Sequence, residues 1–304
     1  MLFQIFGSII GLSAINYGTK YYLRPTKTYV SAPYKHLLPS AVLAGMAYYE
    51  PETFNTTIEN IRKSEPIYHI FKRDETAQLL NKVFPENYQD EIKFVSKDRS
   101  DCQVYMWENE DIDYIVFRGT ESTKDVMIDM DVRTVELEED SDIQVHEGFY
   151  RQYNSVSQDI DNFITQSDRN TVITVGHSLG GSLATLATYY LSKKYTNKKI
   201  ICHTFGSPRV GNNNFVKALE KLDSDMWRIY NFGDPVPMIP ITCRFDHVYG
   251  SSLCLEDDRC DDLGRDYNWM IRIPTEFCCL TMFNMIDKHS ITLYINNLEN
   301  TIST

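Results

Sequence analysis

The stretch Thr174-Val175-Gly176-His177-Ser178-Leu179-Gly180-Gly181 has the G-x-S-x-G form in which a chain can present a serine as a nucleophile. The β-branched run Thr171-Val172-Ile173-Thr174-Val175 before it reads as a buried strand. The small and apolar run Ser182-Leu183-Ala184-Thr185-Leu186-Ala187-Thr188 after it reads as a helix. A strand that passes straight into a helix needs a sharp turn, which strains the serine's backbone and puts its hydroxyl at the tip. Gly176 and Gly180 lack a Cβ, so neighbouring backbones can pass close by. The hydroxyl would also lie over a helix N-terminus, which favours negative charge. A bare G-x-S-x-G equally describes an ordinary strand-to-helix loop, so its partners matter.

A serine hydroxyl is a poor nucleophile at neutral pH and needs a base, which in turn needs a group to orient it. In α/β folds with such an elbow the chain order is Ser, then Asp or Glu, then His. That order prunes the seven histidines: His36, His69, His146 and His177 precede Ser178, and His203 precedes any plausible acid. His247 and His289 remain. His247 lies in the alternating stretch Phe245-Asp246-His247-Val248-Tyr249, which reads as a strand, whereas His289 lies in the polar stretch Asp287-Lys288-His289-Ser290 before the last helix. A loop before a helix can carry a ring over a sheet edge, which favours His289 without removing His247. For the acid, Asp234 stands directly after an apolar strand, where α/β sheets place functional groups. Asp223 and Asp225 fall at that strand's other end, and Asp257, Asp258, Asp261 and Asp262 sit in a charge run. A turn aspartate in an Asp-Pro pair is the plainer reading of Asp234.

Ester chemistry also needs donors for a developing oxyanion. The N–H of Leu179, the residue after the serine, is one candidate; the loop Arg118-Gly119-Thr120 after the strand Tyr114 to Phe117 supplies another, with the N–H and hydroxyl of Thr120.

Around these residues the chain alternates strands and helices. Pro25 to Pro39 reads as a connector, and Ser40 as the cap of a helix over Ala41 to Tyr48. Phe54 to Lys63 and Ala77 to Phe84 read as short helices. Cys102 to Trp107 and Tyr114 to Arg118 form a hairpin across an acidic turn. A helix over Gly148 to Phe163 follows, with apolar residues at Phe149, Tyr153, Ile160 and Phe163. Beyond the elbow come a strand over Ile200 to Phe205, a helix capped by Asn212 or Asn213, a strand over Met226 to Phe232 and a final helix over Ile291 to Leu298. The pattern predicts an α/β fold: a mostly parallel central sheet with helices on both faces, in one domain after residue 40.

The bulk numbers agree. The 304 residues can bury a sizeable core, and 42% hydrophobic with 24% charged residues is an ordinary globular balance. A net charge of -12 argues against nucleic acid and against docking by charge on anionic lipid. The acidic runs Glu136 to Asp142 and Glu256 to Asp262 read as solvated loops. A calcium loop begun at Asp129 fails, because its sixth position is Thr134 where glycine is needed. The seven cysteines show no C-x-x-C spacing for zinc, and no cofactor or metal is called for. Cys202 reads as a packed thiol; Cys243, Cys254, Cys260, Cys278 and Cys279 cluster late in the chain and can pair only in an oxidising compartment.

Residues 1–24 form a hydrophobic N-terminal segment, with no charged side chain from Leu2 to Gly18 and with Lys20 and Arg24 following. The first reading is a short membrane anchor, although about 17 residues is the lower limit for a span. Basic residues on its C-terminal side would then leave the main domain in the cytoplasm. A cleaved signal peptide, and hence secretion, is the alternative; a helix packed on the protein's own surface is the third.

Taken together, these segments resemble the class 3 lipases, the α/β-hydrolases that include fungal triacylglycerol lipases. The resemblance is carried by Val116-Phe117-Arg118-Gly119-Thr120, Val145-His146-Glu147-Gly148-Phe149, Val175 to Gly181, Thr204 to Asn212, Asp234-Pro235-Val236-Pro237 and His289-Ser290, in the family's order. It implies an α/β-hydrolase domain over residues 25–304, with Ser178 as nucleophile, Asp234 as orienting acid, His289 as base, and Thr120 and Leu179 as oxyanion donors. It places a lid at Ser122 to Val132, where Asp125 and Asp129 match the family and Val126 stands where tryptophan is frequent. The implied activity is hydrolysis of acylglycerol-type lipid esters at a membrane or lipid surface. A phospholipase A1 or non-lipid esterase is the alternative within the fold, and a catalytically inactive membrane-associated binding module the alternative outside it.

Overall fold

The structure is a computed structural model that describes residues 34–49, 92–109, 111–120, 132–137, 142–240, 242, 244–248, 251–255 and 286–303. The N-terminal segment, the helices expected at 54–63 and 77–84 and the lid residues 122–131 lie outside them.

A seven-stranded sheet runs through the domain in the order β1-β2-β3-β6-β7-β8-β9. Its strands are β1 (Ile92–Lys97), β2 (Cys102–Asn109), β3 (Ile112–Phe117), β6 (Thr171–His177), β7 (Lys199–Phe205), β8 (Ser224–Asn231) and β9 (Ser251–Leu255). β1, β2 and β3 pair antiparallel, and every pairing from β3 to β9 is parallel. β4 (Thr134–Glu136) and β5 (Gln144–His146) form a separate antiparallel pair at the ends of the acidic run. Neither that pair nor β1 was expected from the sequence.

Helices cover both faces, as the period of the pattern requires. On one face lie α1 (Tyr34–Met46) and α5 (Ile291–Ser303), packed with Trp107, Tyr114, Val116, Ile173, Val175, Phe205 and Ile229. On the other lie α2 (Glu147–Gln166), α3 (Leu179–Lys194) and α4 (Asn213–Glu220), packed with Val104, Ile115, Phe117, Val172 and Cys202. Successive residues of one strand, such as Val172 and Ile173, thus enter opposite cores. Each fully buried leucine or isoleucine here contributes about 2 kcal/mol by leaving water.

α3 is buried along most of its length, from Gly180 to Tyr189. Its two buried threonines are satisfied inside: Thr185 and Thr188 donate to the carbonyls of Gly181 (2.9 Å) and Ala184 (2.8 Å), and Thr188 also pairs with Thr174 on β6 at 2.7 Å. α4 starts at Asn212, whose Oδ1 accepts from Phe215 N at 2.9 Å, as an N-cap should. α1 corrects the sequence reading. Pro39 was taken as the end of a connector and Ser40 as a cap, but the helix already begins at Tyr34 and contains Pro39. Ser40 is freed from capping, and its Oγ meets Nδ1 of His203 at 2.7 Å across the core.

Candidate active site

Four parallel strands end side by side. Phe117 of β3 faces Gly176 of β6, and His177 faces Phe205 of β7. The segments that leave these ends, at 118–120, 178–179, 206–208 and 232–235, therefore collect at the carboxyl edge of the sheet, where α/β folds bind their ligands.

Ser178 is the residue between β6 and α3. Its φ of 58° and ψ of −130° lie in a region that non-glycine residues avoid, at a cost of order 1–3 kcal/mol. The turn is held by Ser178 N donating to the Phe205 carbonyl at 2.9 Å and by Gly181 N donating to the Ser178 carbonyl at 2.9 Å. It closes so tightly that a Cβ on Gly176 would stand 2.1 Å from the Gly180 backbone. Ser178 Oγ is buried and has no hydrogen-bond partner among the described residues.

His289 ends a short 3-10 turn, Ile286–His289, immediately before α5. Its Nδ1 lies 2.7 Å from Oδ2 of Asp234, and the two side chains are 1% and 0% exposed. With Nδ1–H donated to the carboxylate, Nε2 carries the lone pair. Nε2 is itself buried and without a partner among the described residues. Two unsatisfied atoms, a hydroxyl and an imidazole lone pair, thus belong to residues that both touch the Phe205–Gly206 segment. Such atoms are rare in interiors and call for a functional account.

Asp234 is held from three directions. Oδ2 accepts from His289 and from the Tyr294 hydroxyl at 2.5 Å, and Oδ1 accepts from Val236 N at 2.8 Å. Beneath the pair lies Gly206, whose φ is +59°. A Cβ there would stand 2.8 Å from His289 Cε1 and 2.9 Å from Asp234 Oδ2. The loop of the base is pinned as well: Asn231 Nδ2 donates to the Lys288 carbonyl at 2.8 Å, and Asn297 Nδ2 donates to Asn231 Oδ1 at 2.9 Å.

Leu179 opens α3, so its N–H is among those a helix leaves unpaired at its start. Thr120 lies three residues beyond Phe117, which faces Gly176, in the segment that leaves the strand neighbouring the elbow. All five candidate residues therefore stand on this edge. His247, the other histidine left open, does not lie on a strand. Its ring is buried and its Nε2 bonds the Pro237 carbonyl, with burial foremost, then Arg228 and Arg209, holding its pKa well below the ordinary value. His146 caps α2, its Nδ1 accepting from Phe149 N at 3.2 Å.

Tyr294, Asn231 and His177 were not singled out from the sequence. Tyr294 and Asn231 carry no motif, and their roles appear only when α5 folds back over β8. His177 was set aside because it precedes the serine, yet its Nε2 lies 2.8 Å from the His289 carbonyl.

Residues 114–243 match the family described as Lipase (class 3). The lipase of Rhizopus niveus is 32% identical over 134 residues, which cover 42% of this chain and 34% of that one. A secreted mono- and diacylglycerol lipase of Fusarium solani is 34% identical over 100 residues, 32% of this chain and 29% of the relative. The matched stretch thus spans about a third of the length of these curated relatives. Among solved structures, the triacylglyceride lipase of Rhizomucor miehei superposes with a TM-score of 0.61 at 22% identity, covering 77% of this chain and 84% of that one. The fold is that of an α/β-hydrolase.

Proposed function

We propose that the protein is a serine ester hydrolase, a lipase that cleaves acylglycerol-type lipid esters, with residues 25–304 as one hydrolase domain. The observation that carries this reading is the pair of buried, unpartnered atoms, Ser178 Oγ and His289 Nε2, with the other nitrogen of His289 on Asp234.

In this mechanism the Ser178 hydroxyl attacks the ester carbonyl while His289 Nε2 takes its proton. Asp234 keeps the proton-bearing Nδ1 facing away and stabilises the imidazolium that forms. The N–H of Leu179 and the N–H or hydroxyl of Thr120 receive the negative charge of the tetrahedral intermediate. His289 then gives its proton to the leaving alcohol, and water, activated by the same imidazole, frees the acyl group and restores Ser178.

The acylglycerol substrate is supported by the match of residues 114–243 to the class 3 lipases and by the activity named for the Rhizopus and Fusarium relatives. Secretion is the better-supported location. The Fusarium relative is secreted, and Cys254 is disulfide-bonded, which suits an oxidising compartment. Among the described residues no helix is long and apolar enough to cross a membrane. Residues 1–24 then serve as a leader; membrane fractionation of chains with and without them tests this, and retention in membranes only with the segment would favour an anchor.

For the activity, a panel of tri-, di- and monoacylglycerols, phospholipids and short-chain nitrophenyl esters is run beside Ser178→Ala. The expected result is release of fatty acid from acylglycerols, abolished by the substitution. Preferential cleavage of phospholipid would favour a phospholipase, and no turnover of any ester by folded protein would favour the inactive binding module.

A further inference from the structure

His177 is the last residue of β6 and the residue directly before Ser178. Its ring is buried and both of its nitrogens are engaged. Nε2 lies 2.8 Å from the backbone carbonyl of His289, and a carbonyl can only accept, so Nε2 carries the hydrogen. Nδ1 then bears the lone pair and accepts from the Tyr48 hydroxyl at 2.7 Å. The tautomer is fixed by these two partners. The neutral state is kept by burial first and by the neighbouring charge of His289 second, which together hold the pKa well below the ordinary imidazole value. The two rings lie 4.5 Å apart between centroids.

This arrangement has consequences for His289. The carbonyl before its Cα, that of Lys288, is held by Asn231, and the carbonyl after it is held by His177. Both peptide groups flanking the residue are therefore pinned by side chains. Asn231 ties them to β8, whereas His177 ties them to the residue that precedes Ser178. Tyr48 carries the connection further. A Cβ on Gly119 would stand 2.2 Å from the Tyr48 oxygen and 2.5 Å from the His177 carbonyl, so the hydroxyl sits directly against the loop that carries Thr120.

We infer that His177 is a positioning residue that sets the spacing between Ser178 and His289, and that Tyr48 extends the same tie to the loop at Gly119 and Thr120. The inference rests on the proposed roles of Ser178, His289 and Thr120. A ring that only filled space would need neither donor nor acceptor, and phenylalanine would replace it. Proton transfer and nucleophilic attack are sensitive to such placement, since a misplacement of about 1 Å can reduce a rate about a hundredfold.

The test is steady-state hydrolysis of a short-chain nitrophenyl ester by wild type, His177→Phe, His177→Gln and Tyr48→Phe, with the melting temperature of each. His177→Phe is expected to lower kcat by about 10- to 100-fold with KM within about twofold, because the lost tie acts on the reacting geometry rather than on ester binding. His177→Gln, whose amide N–H can reach the place of Nε2–H, is expected to recover most of that loss, and Tyr48→Phe to fall between it and wild type. A folded His177→Phe with wild-type kcat, or a loss that glutamine does not recover, would overturn the positioning role. If His177→Phe does not fold, Tyr48→Phe decides, and an unchanged kcat there overturns the tie. Wild-type turnover that persists in Ser178→Ala would instead overturn the hydrolase mechanism, and this inference with it.

Discussion

Replacing Gly206 by alanine perturbs the site from underneath without replacing any titratable group. Two costs follow from its geometry. The φ of +59° is a left-handed conformation, which a Cβ makes unfavourable by about 1–2 kcal/mol. The new methyl would also stand 2.8 Å from His289 Cε1 and 2.9 Å from both His289 Nδ1 and Asp234 Oδ2. Ordinary carbon contacts begin near 3.4 Å, so the His–Asp pair must retreat by about half an ångström. Neither side chain can move freely, because Asp234 is also bonded to Tyr294 and Val236. Overpacking a tight interior costs about 1–3 kcal/mol, which brings the total loss of stability to about 2–5 kcal/mol. With rates falling about a hundredfold per ångström of misplacement, kcat should drop about tenfold. Urea unfolding measures the first quantity, and hydrolysis of a soluble nitrophenyl ester well below the unfolding transition measures the second. A Gly206→Ala protein with stability and kcat both like wild type would refute the placement of His289 and Asp234 above this residue.

Other substitutions separate chemistry from support. Asp234→Asn should fold, since its amide oxygen can still accept from Val236 N while its NH2 donates to the Tyr294 hydroxyl, yet lose about 10⁴-fold in kcat because an NH2 facing His289 Nδ1 enforces the wrong imidazole tautomer; a loss under tenfold in a folded protein would argue against Asp234 as the orienting acid. Tyr294→Phe removes one hydrogen bond to a carboxylate and should cost about 1.5–3 kcal/mol in urea unfolding, with a change under 0.5 kcal/mol counting against that bond. Acid stability carries a signature of His203, whose pKa is lowered from 6.5 to about 3, by burial first and by His36 second. Between those values the unfolded chain binds a proton that the folded chain refuses, so stability is full above pH 6.5 and falls as the pH drops toward 3. His203→Gln should flatten that slope in unfolding experiments run at several pH values, and an unaltered slope would show that His203 is not responsible.

Much of this site was legible in the chain because its logic is local or ordered. The elbow is a strand, a turn and a helix written in eight consecutive residues. The order of serine, acid and base then removed five histidines, and the structure places His289 rather than His247 on Asp234. Helix positions followed wherever apolar residues kept their period, as at Phe149, Tyr153 and Ile160 in α2. What escaped depends on long-range contact. β1 is half-exposed, with a burial pattern that alternates only loosely, so the run Ile92–Lys97 has little signal. β4 and β5 are three residues each beside an acidic run that reads as loop. Pro39 reads as the end of a connector, yet the helix runs through it, held against the sheet by Leu37, Val42 and Leu43. Tyr48, Asn231 and Tyr294 are ordinary residues in the sequence. They gain their roles through partners more than 50 positions away in the chain, Tyr48 with His177, Asn231 with Lys288 and Tyr294 with Asp234.

The most direct test of the central claim is the site of covalent capture. Wild-type protein is treated with a fluorophosphonate ester, digested and mapped by mass spectrometry. A single adduct on the peptide bearing Ser178, absent from Ser178→Ala and formed far more slowly in His289→Ala, is the predicted result. An adduct on another residue, or equal labelling of Ser178→Ala, would contradict the assignment of Ser178 as the nucleophile.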